Sequence, residues 1–398
     1  MNDIRPIRAT SGTNHEGTSA HNRRVIIDAL RLNGALSRAD LARATLLTKQ
    51  TVSNIIEELE NIGLVSSQEM VRRGRGQPST PYGLVPEGAF AIGLQIDRHI
   101  TRAIAVDLVG NGLVRKEANL PAGGPAIGTP VVLQLLDDVR SELKRLVPQA
   151  DKRLVGLGVA MPGPFGIEED DNDPWVMGAW QRFPLLETLA AGTGLNVSLQ
   201  NDAAACATAE RMVGRAHGLD DAVCLYVGYG IGAGLILGGE LYSGAHGNAG
   251  EIGMALLTSG GRQTPLEHRA SLASLYQHLG VDPMAPDIYA LIGERTAKDD
   301  PKILAWVKEA AADLRWSVHL IETVFDPQTV ILCGAPEALA TRLLAAMQPL
   351  LPSNADRPDR ILPRLQLGMT DPWTVARGAA AEPIGHAFDP RFSAILKA

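Results

Sequence analysis

Cysteine is scarce in this chain, with only Cys206, Cys224 and Cys333 among 398 residues. They lie far apart in sequence among apolar neighbours. That pattern excludes a disulfide framework and a cysteine-rich metal cluster, and reads as buried thiols in a reducing compartment. No apolar run is long enough to span a bilayer. The opening "MNDIRPIRATSGTNHEGTSAHNRR" lacks the apolar core of a secretion signal, so a cytoplasmic chain without membrane contact is expected. A strong excess of one charge is also missing: residues 1–88 hold 11 Lys and Arg against 9 Asp and Glu, or +2, and the remainder 26 against 35, or −9. A balance of +2 is no argument for nucleic acid, so pattern has to decide. With 45% apolar and 20% charged residues the composition is that of a globular protein long enough for two or three domains.

Periodicity is present from Asn22 to Leu32, where Val25, Ile26, Ala29, Leu30 and Leu32 recur at roughly helical spacing until Gly34 breaks the run. Residues 1–21 are read as a flexible arm ahead of it. Ser37 with Asp40 three positions on has the form of a capping box and predicts a short second helix through Ala44. Thr48 can cap a third, in which Val52, Ile55, Ile56 and Leu59 form one apolar stripe. Lys49, Gln50, Thr51, Ser53, Asn54 and Glu57 face the other way. Two short helices joined by a tight turn, the second polar at its outer N-terminal face, match the arrangement that lays a helix in the major groove. Gln and Asn can read adenine edges there, and Lys can reach guanine or phosphate. The following "GLVSSQEMVRRGRGQPSTPYGLV" reads as two strands, Leu64 to Val71 and Tyr82 to Val85, around a turn carrying Arg72, Arg73 and Arg75. Such a wing can touch phosphates or the minor groove. Residues 22–88 thus read as a winged helix-turn-helix; the competing reading is a helical protein-interaction module with a basic loop.

Beyond residue 88, strands are predicted at Ala91 to Ile96, Thr101 to Leu108, Leu154 to Ala160, Ala222 to Val227 and Ala233 to Leu237. Helices are predicted at Thr129 to Leu146, Ala203 to Val213, Pro301 to Phe325 and Pro336 to Leu351. Strands and helices alternate twice over, which argues for a two-lobed α/β body with a cleft. The "GYGIGAG" turn at Gly228 to Gly234 leads into a strand, so a dinucleotide fingerprint is excluded. Its stacked glycines either present N–H groups to a phosphate or form a plain tight hairpin. Asn201 and Asp202 sit at the mouth of a helix: Asp202 could be a general base toward a sugar hydroxyl, or the pair an ordinary cap. Glu251 and Glu267, in a Gly-rich stretch, are either solvated turn residues or the walls of a polar pocket.

The segments "LGVAMPGP", "GLNVSLQNDAAACATAE", "GYGIGAGLILGG" and "GAHGNAGEIG", in that order, resemble the ROK family (repressor, open reading frame, kinase), in its winged-helix repressor branch. The resemblance runs from about Asn22 to "GAAAEP" at Gly378 to Pro383. It implies an N-terminal winged helix-turn-helix followed by a two-lobed, actin-like (ribonuclease H-like) sugar-kinase body over residues 89–398, serving effector binding and dimerisation. Implied sugar contacts are Gly163, Asn201, Asp202, Glu251 and, through an "LExxxSxxSL" pattern, Glu267. The departures are informative. Where the family's kinases carry Asp-x-Gly-x-Thr this chain has Gln95, Asp97 and His99, which replaces a carboxylate by an amide and puts an anion where phosphate should lie. Between Gly228 and Gly230, Tyr229 replaces a threonine, and Ala335 replaces a glycine on the adenosine side. Asp202 is then a vestigial base without a donor. The family's zinc ligands, a His and three Cys, fall on Met254, Thr258, Gly260 and Pro265, so neither zinc nor another cofactor is expected.

The resulting reading is a transcriptional repressor of carbohydrate genes, a homodimer or homotetramer on an inverted-repeat duplex, whose degenerate kinase body senses a sugar. The alternative is an active ATP-dependent sugar kinase with an appended DNA-binding domain; a third reading is a regulator that binds no small molecule.

Overall fold

The computed structural model describes residues 15–69, 79–121, 123–166, 177–259, 261–285 and 287–387. Its N-terminal helices form where capping and apolar spacing agree. The second, Arg38–Thr45, starts at Ser37, whose hydroxyl accepts from the Asp40 N–H at 3.2 Å and donates to the Asp40 carboxylate at 2.8 Å. The third, Lys49–Asn61, starts at Thr48, which accepts from the Thr51 N–H at 3.1 Å. Its stripe of Val52, Ile55, Ile56 and Leu59 is buried. The first helix is His15–Asn33, beginning at His15 rather than Asn22. Its opening "HEGTSAH" has no large apolar residue for a periodicity to register. The expected arm is therefore shorter than 1–21, and residues 1–14 lie outside the described residues.

The first wing strand is shorter than expected, Val65–Ser67, the second is shifted by one residue to Pro81–Leu84, and they are joined antiparallel by a third, Leu36–Ser37, too brief to leave a pattern. Arg72, Arg73 and Arg75 lie outside the described residues.

The body is built on one strand order used twice. In the first lobe Gly112–Asn119, Ile100–Asp107, Phe90–Ile96, Leu154–Met161 and Val197–Asn201 lie side by side in that order. In the second the order is Glu240–Tyr242, Ile231–Leu237, Ala222–Val227, Thr329–Cys333 and Leu365–Leu367. Numbered within each lobe both are 3-2-1-4-5: an antiparallel meander, then parallel strands. This is the expected two-lobed fold. The predicted strands are all present, while Gly112–Asn119, Glu240–Tyr242, Thr329–Cys333 and Leu365–Leu367 escaped prediction. Among the described residues no helix is long and apolar enough to cross a membrane.

Helices Pro125–Leu146 and Leu185–Thr193 cover one face of the first sheet. The C-terminal helix Thr374–Ala387 covers the other at backbone distance. A Cβ on Gly93 would meet the Ala376 carbonyl at 1.9 Å, and one on Gly158 the Ala379 carbonyl at 1.8 Å. Helix Asp202–Val213 lies between the lobes. The three cysteines, distant in sequence, meet there in one apolar cluster; all are buried and free, so remoteness along the chain did not mean remoteness in space.

The DNA-binding segment shares a core with the body. Ile26, Ile27 and Leu30 pack in one cluster with Ile104, Val106, Leu108 and Met212. The Arg31 guanidinium donates to the Leu108 carbonyl at 3.2 Å, and Arg24 pairs with Glu240 at 3.3 Å.

Candidate functional site

On the third helix Lys49, Gln50 and Asn54 are exposed, and Thr51 and Ser53 half-buried. The Gln50 amide donates to the Asn54 carbonyl oxygen at 2.8 Å, so the two candidate base readers are aligned before any partner arrives. Thr51 is committed differently: its hydroxyl lies 2.8 Å from that of Thr48, within the cap.

The cleft in the body gathers three of the expected sugar contacts. Asn201 caps the interlobe helix, its side-chain oxygen accepting from the Ala204 N–H at 2.7 Å, while its amide donates to Glu251 Oε1 at 3.2 Å. A Cβ on Gly163 would lie 2.4 Å from the same Glu251 oxygen, so a side chain there would displace that carboxylate. Asp202 follows in chain, half-buried, and accepts from the Ala203 N–H at 2.9 Å. Burial, with the Asp97 carboxylate adding to it and Arg98 opposing it, raises its pKa to about 7. Glu267 stands beside the turn that follows Glu251, Ile252–Met254. Its carboxylate accepts from the Ile231 N–H at 3.4 Å, and a Cβ on Gly230 or Gly253 would strike it. One anchor escaped the sequence reading. Asn248 accepts from the Phe165 N–H and donates to the Phe165 carbonyl, both at 2.8 Å, tying the loop after Gly163 to the glycine-rich loop before Glu251.

At the former phosphate side the structure corrects the expected mechanism. Asp97 does not stand as a lone anion: Arg98 donates to it through its backbone N–H at 2.8 Å and its guanidinium at 3.2 Å. The same guanidinium lies 4.0 Å from the centre of the Tyr229 ring, reaching from the first lobe's hairpin to the second lobe's. Two N–H groups of the glycine turn are already engaged. Gly228 N–H donates to the Gly230 carbonyl at 2.9 Å, and Ile231 N–H serves Glu267. Beside it Gln95 is buried, its Oε1 without a partner among the described residues, and burial pushes the His99 imidazole below its ordinary pKa. The remaining cavity is about 80 Å³, smaller than the ~150 Å³ that takes a benzene ring. Arg98 and Tyr229 thus narrow the space beside Asp97, and Asp97 is paired where a repelling lone anion was expected. The sequence signal, a basic residue between Asp97 and His99 opposite an aromatic turn, lay in view but needed the lobes' approach to be read.

The ROK family model matches residues 91–372, and a winged helix-turn-helix DNA-binding model matches residues 20–66. The chain belongs to the ROK family. It is 29% identical over 255 residues to the xylose repressor of Caldicellulosiruptor bescii, an alignment covering 60% of this chain and 59% of that one. With the DNA-binding transcriptional repressor Mlc of Escherichia coli it shares 26% over 348 residues, covering 80% and 81%. Among solved structures, a ROK family transcriptional regulator homologous to the Escherichia coli protein superposes with a TM-score of 0.70 at 20% identity, covering 95% of this chain and 98% of that one. Against the ROK zinc site, the residues present do not fit the metal. Met254 offers a half-exposed thioether, Thr258 and Pro265 lie on the paired strands Leu256–Ser259 and Arg262–Pro265, and Gly260 lies outside the described residues.

Two outcomes are expected. Asn54→Ala should cost roughly 1–3 kcal/mol at one base position if its contact is bidentate, measured as binding to a selected duplex against single-base variants; an equal loss on random DNA would remove Asn54 from base reading. For Asp202 the folded pKa of about 7 exceeds the ordinary aspartate value of 3.8. The folded state therefore holds the proton more tightly, and ionisation costs stability increasingly as pH rises from about 4 through about 7. Denaturation of wild type and Asp202→Asn at pH 5 and pH 8 should show the variant gaining on the wild type at the higher pH.

Proposed function

We propose that this ROK protein is a sugar-responsive transcriptional repressor whose kinase-like body binds its sugar without phosphorylating it and uses neither zinc nor another cofactor. The observation that carries the reading is the Arg98–Tyr229 contact across the cleft, on the side of Asp202 from which a phosphoryl donor would have to come. Gly163, Asn201, Asp202 and Glu251 still offer the donors and acceptors that hydroxyl groups require. The repressors to which the chain is similar support the same direction. Binding as a dimer or a pair of dimers to an inverted repeat follows from the usual geometry of such reading helices.

A route from sugar to DNA is built into the chain. The helix Asp202–Val213 begins at the pocket with Asn201 as its cap and ends at Met212, which packs in the cluster containing Ile26 and Leu30 of the first helix. A shift of its N-terminus on sugar binding moves the surface on which the DNA-binding segment rests.

One observation favours the kinase reading. A carboxyl group with a pKa near 7 is well matched to general-base work at neutral pH. Purified protein with ATP and a panel of sugars separates the two: no sugar-dependent turnover is expected, and phosphorylation at roughly 1 per second or faster would establish the kinase. Glu251→Ala should abolish the sugar's effect on DNA affinity while leaving affinity without sugar unchanged. A folded variant that still responds would exclude Glu251 from the pocket, and no thermal shift of wild type with any sugar would favour a regulator without a small-molecule effector.

A further inference from the structure

Leu46 joins the second and third helices and is 81% exposed. It also takes the left-handed backbone conformation, with φ 57° and ψ 18° at the end of helix Arg38–Thr45. That position is ordinarily glycine, asparagine or aspartate, because a Cβ there is crowded by the backbone. The chain otherwise follows this rule. Among the described residues the other non-glycine positions with left-handed φ are Asp287, Asp299 and Asp326. Its neighbours do the folding work: Thr45 is buried, and Leu47 packs against the core beneath the helices. A branched apolar side chain at Leu46 therefore carries both a backbone penalty and a solvation penalty, and packs into none of the apolar clusters among the described residues.

We propose that Leu46 makes an apolar contact with DNA, on a thymine C5-methyl group at the edge of the sequence read by Lys49, Gln50 and Asn54. The proposal rests on the helix-turn-helix reading. In that arrangement the first helix of the pair crosses the sugar-phosphate backbone and the N-terminus of the second meets the base edges. The turn between them lies at the groove wall. Leu46 is flanked in sequence by exposed Arg43 and Lys49, cations suited to phosphates, and is the apolar element between them. The apolar feature that the major groove offers such a side chain is the thymine methyl.

The test uses the full chain and a duplex selected by it from random sequence. Leu46→Gly and Leu46→Asn both suit the left-handed backbone and remove the apolar side chain. Both variants should unfold at temperatures no lower than wild type. Both should bind the selected duplex about tenfold more weakly, as expected when a partly buried leucine contact is lost. Replacing operator thymines one at a time by deoxyuridine should weaken wild type to a similar extent at one position, and should leave the Asn variant's affinity unchanged at that position. Variants that bind like wild type overturn the proposal. Weaker variants with no deoxyuridine effect in wild type also overturn it, by moving the contact to deoxyribose, as does a loss traced by sedimentation to a changed oligomeric state. A wild-type chain that selects no sequence would overturn the reading helix itself, and this contact with it.

Discussion

The helix from Asp202 to Val213 can occupy the middle of the molecule only because small residues surround it. Its sequence "DAAACATAERMV" presents alanines and one cysteine where other folds would present leucines. A Cβ on Gly378 would fall 1.6 Å from the Ala205 carbonyl, so the C-terminal helix crosses it in backbone contact. On the second lobe's side a Cβ on Gly234 would meet the Ala203 carbonyl and the Ala207 Cβ, both at 2.4 Å. Contacts this close leave little room for sliding, because packed interiors give way only by costly rearrangement. The helix therefore behaves as a strut whose two ends, the Asn201 cap and Met212, belong to different functional surfaces.

Electrostatics at the strut's N-terminus explains how a kinase-like cleft can persist without a nucleotide. The Asp97 carboxylate adds to the cost of ionising buried Asp202, and Arg98 offsets this while stacking on Tyr229. One arginine thus compensates the anions and fills the space between the lobes. In the proposed sensor the cleft is held by protein groups where an enzyme would rely on its second substrate. Gln95 Oε1, buried without a partner among the described residues, is consistent with a site shaped for a different occupant.

Much of this was legible in the sequence, for reasons that can be named. Ser37 and Thr48 cap the helices that their spacing announced, since capping is a local matter settled within three or four residues. Asn201, Glu251 and Gly163 meet as the family resemblance implied. What stayed hidden depends on tertiary approach. Thr329–Cys333 is five apolar or β-branched residues, a run that periodicity cannot assign to strand or helix. The Arg98 contact exists only once two hairpins from different lobes face each other. Glu267 was placed by pattern alone, and its contacts with the Ile231 N–H and the turn at Gly253 could be seen only in the fold. The first helix ran further back than its apolar stripe because a helix's opening turns can be polar throughout.

The strut also fixes what size of signal the molecule can send. A twelve-residue helix is about 18 Å long, and with sliding resisted by its neighbours, small local repacking at its two ends is the cheaper motion. In the proposed sensor a sugar hydroxyl entering the pocket would compete with the Asn201–Glu251 hydrogen bond, an interaction whose net worth is on the order of 1 kcal/mol. At the other end, Met212 is buried against Gly110 and the core of the first helix, and repacking one such side chain is worth roughly 1.5–3 kcal/mol. Allosteric couplings between sites are typically 1–3 kcal/mol. The quantities match, so a change confined to one cap and one methionine is large enough to shift DNA affinity by about tenfold, without any separation of the DNA-binding segment from the body.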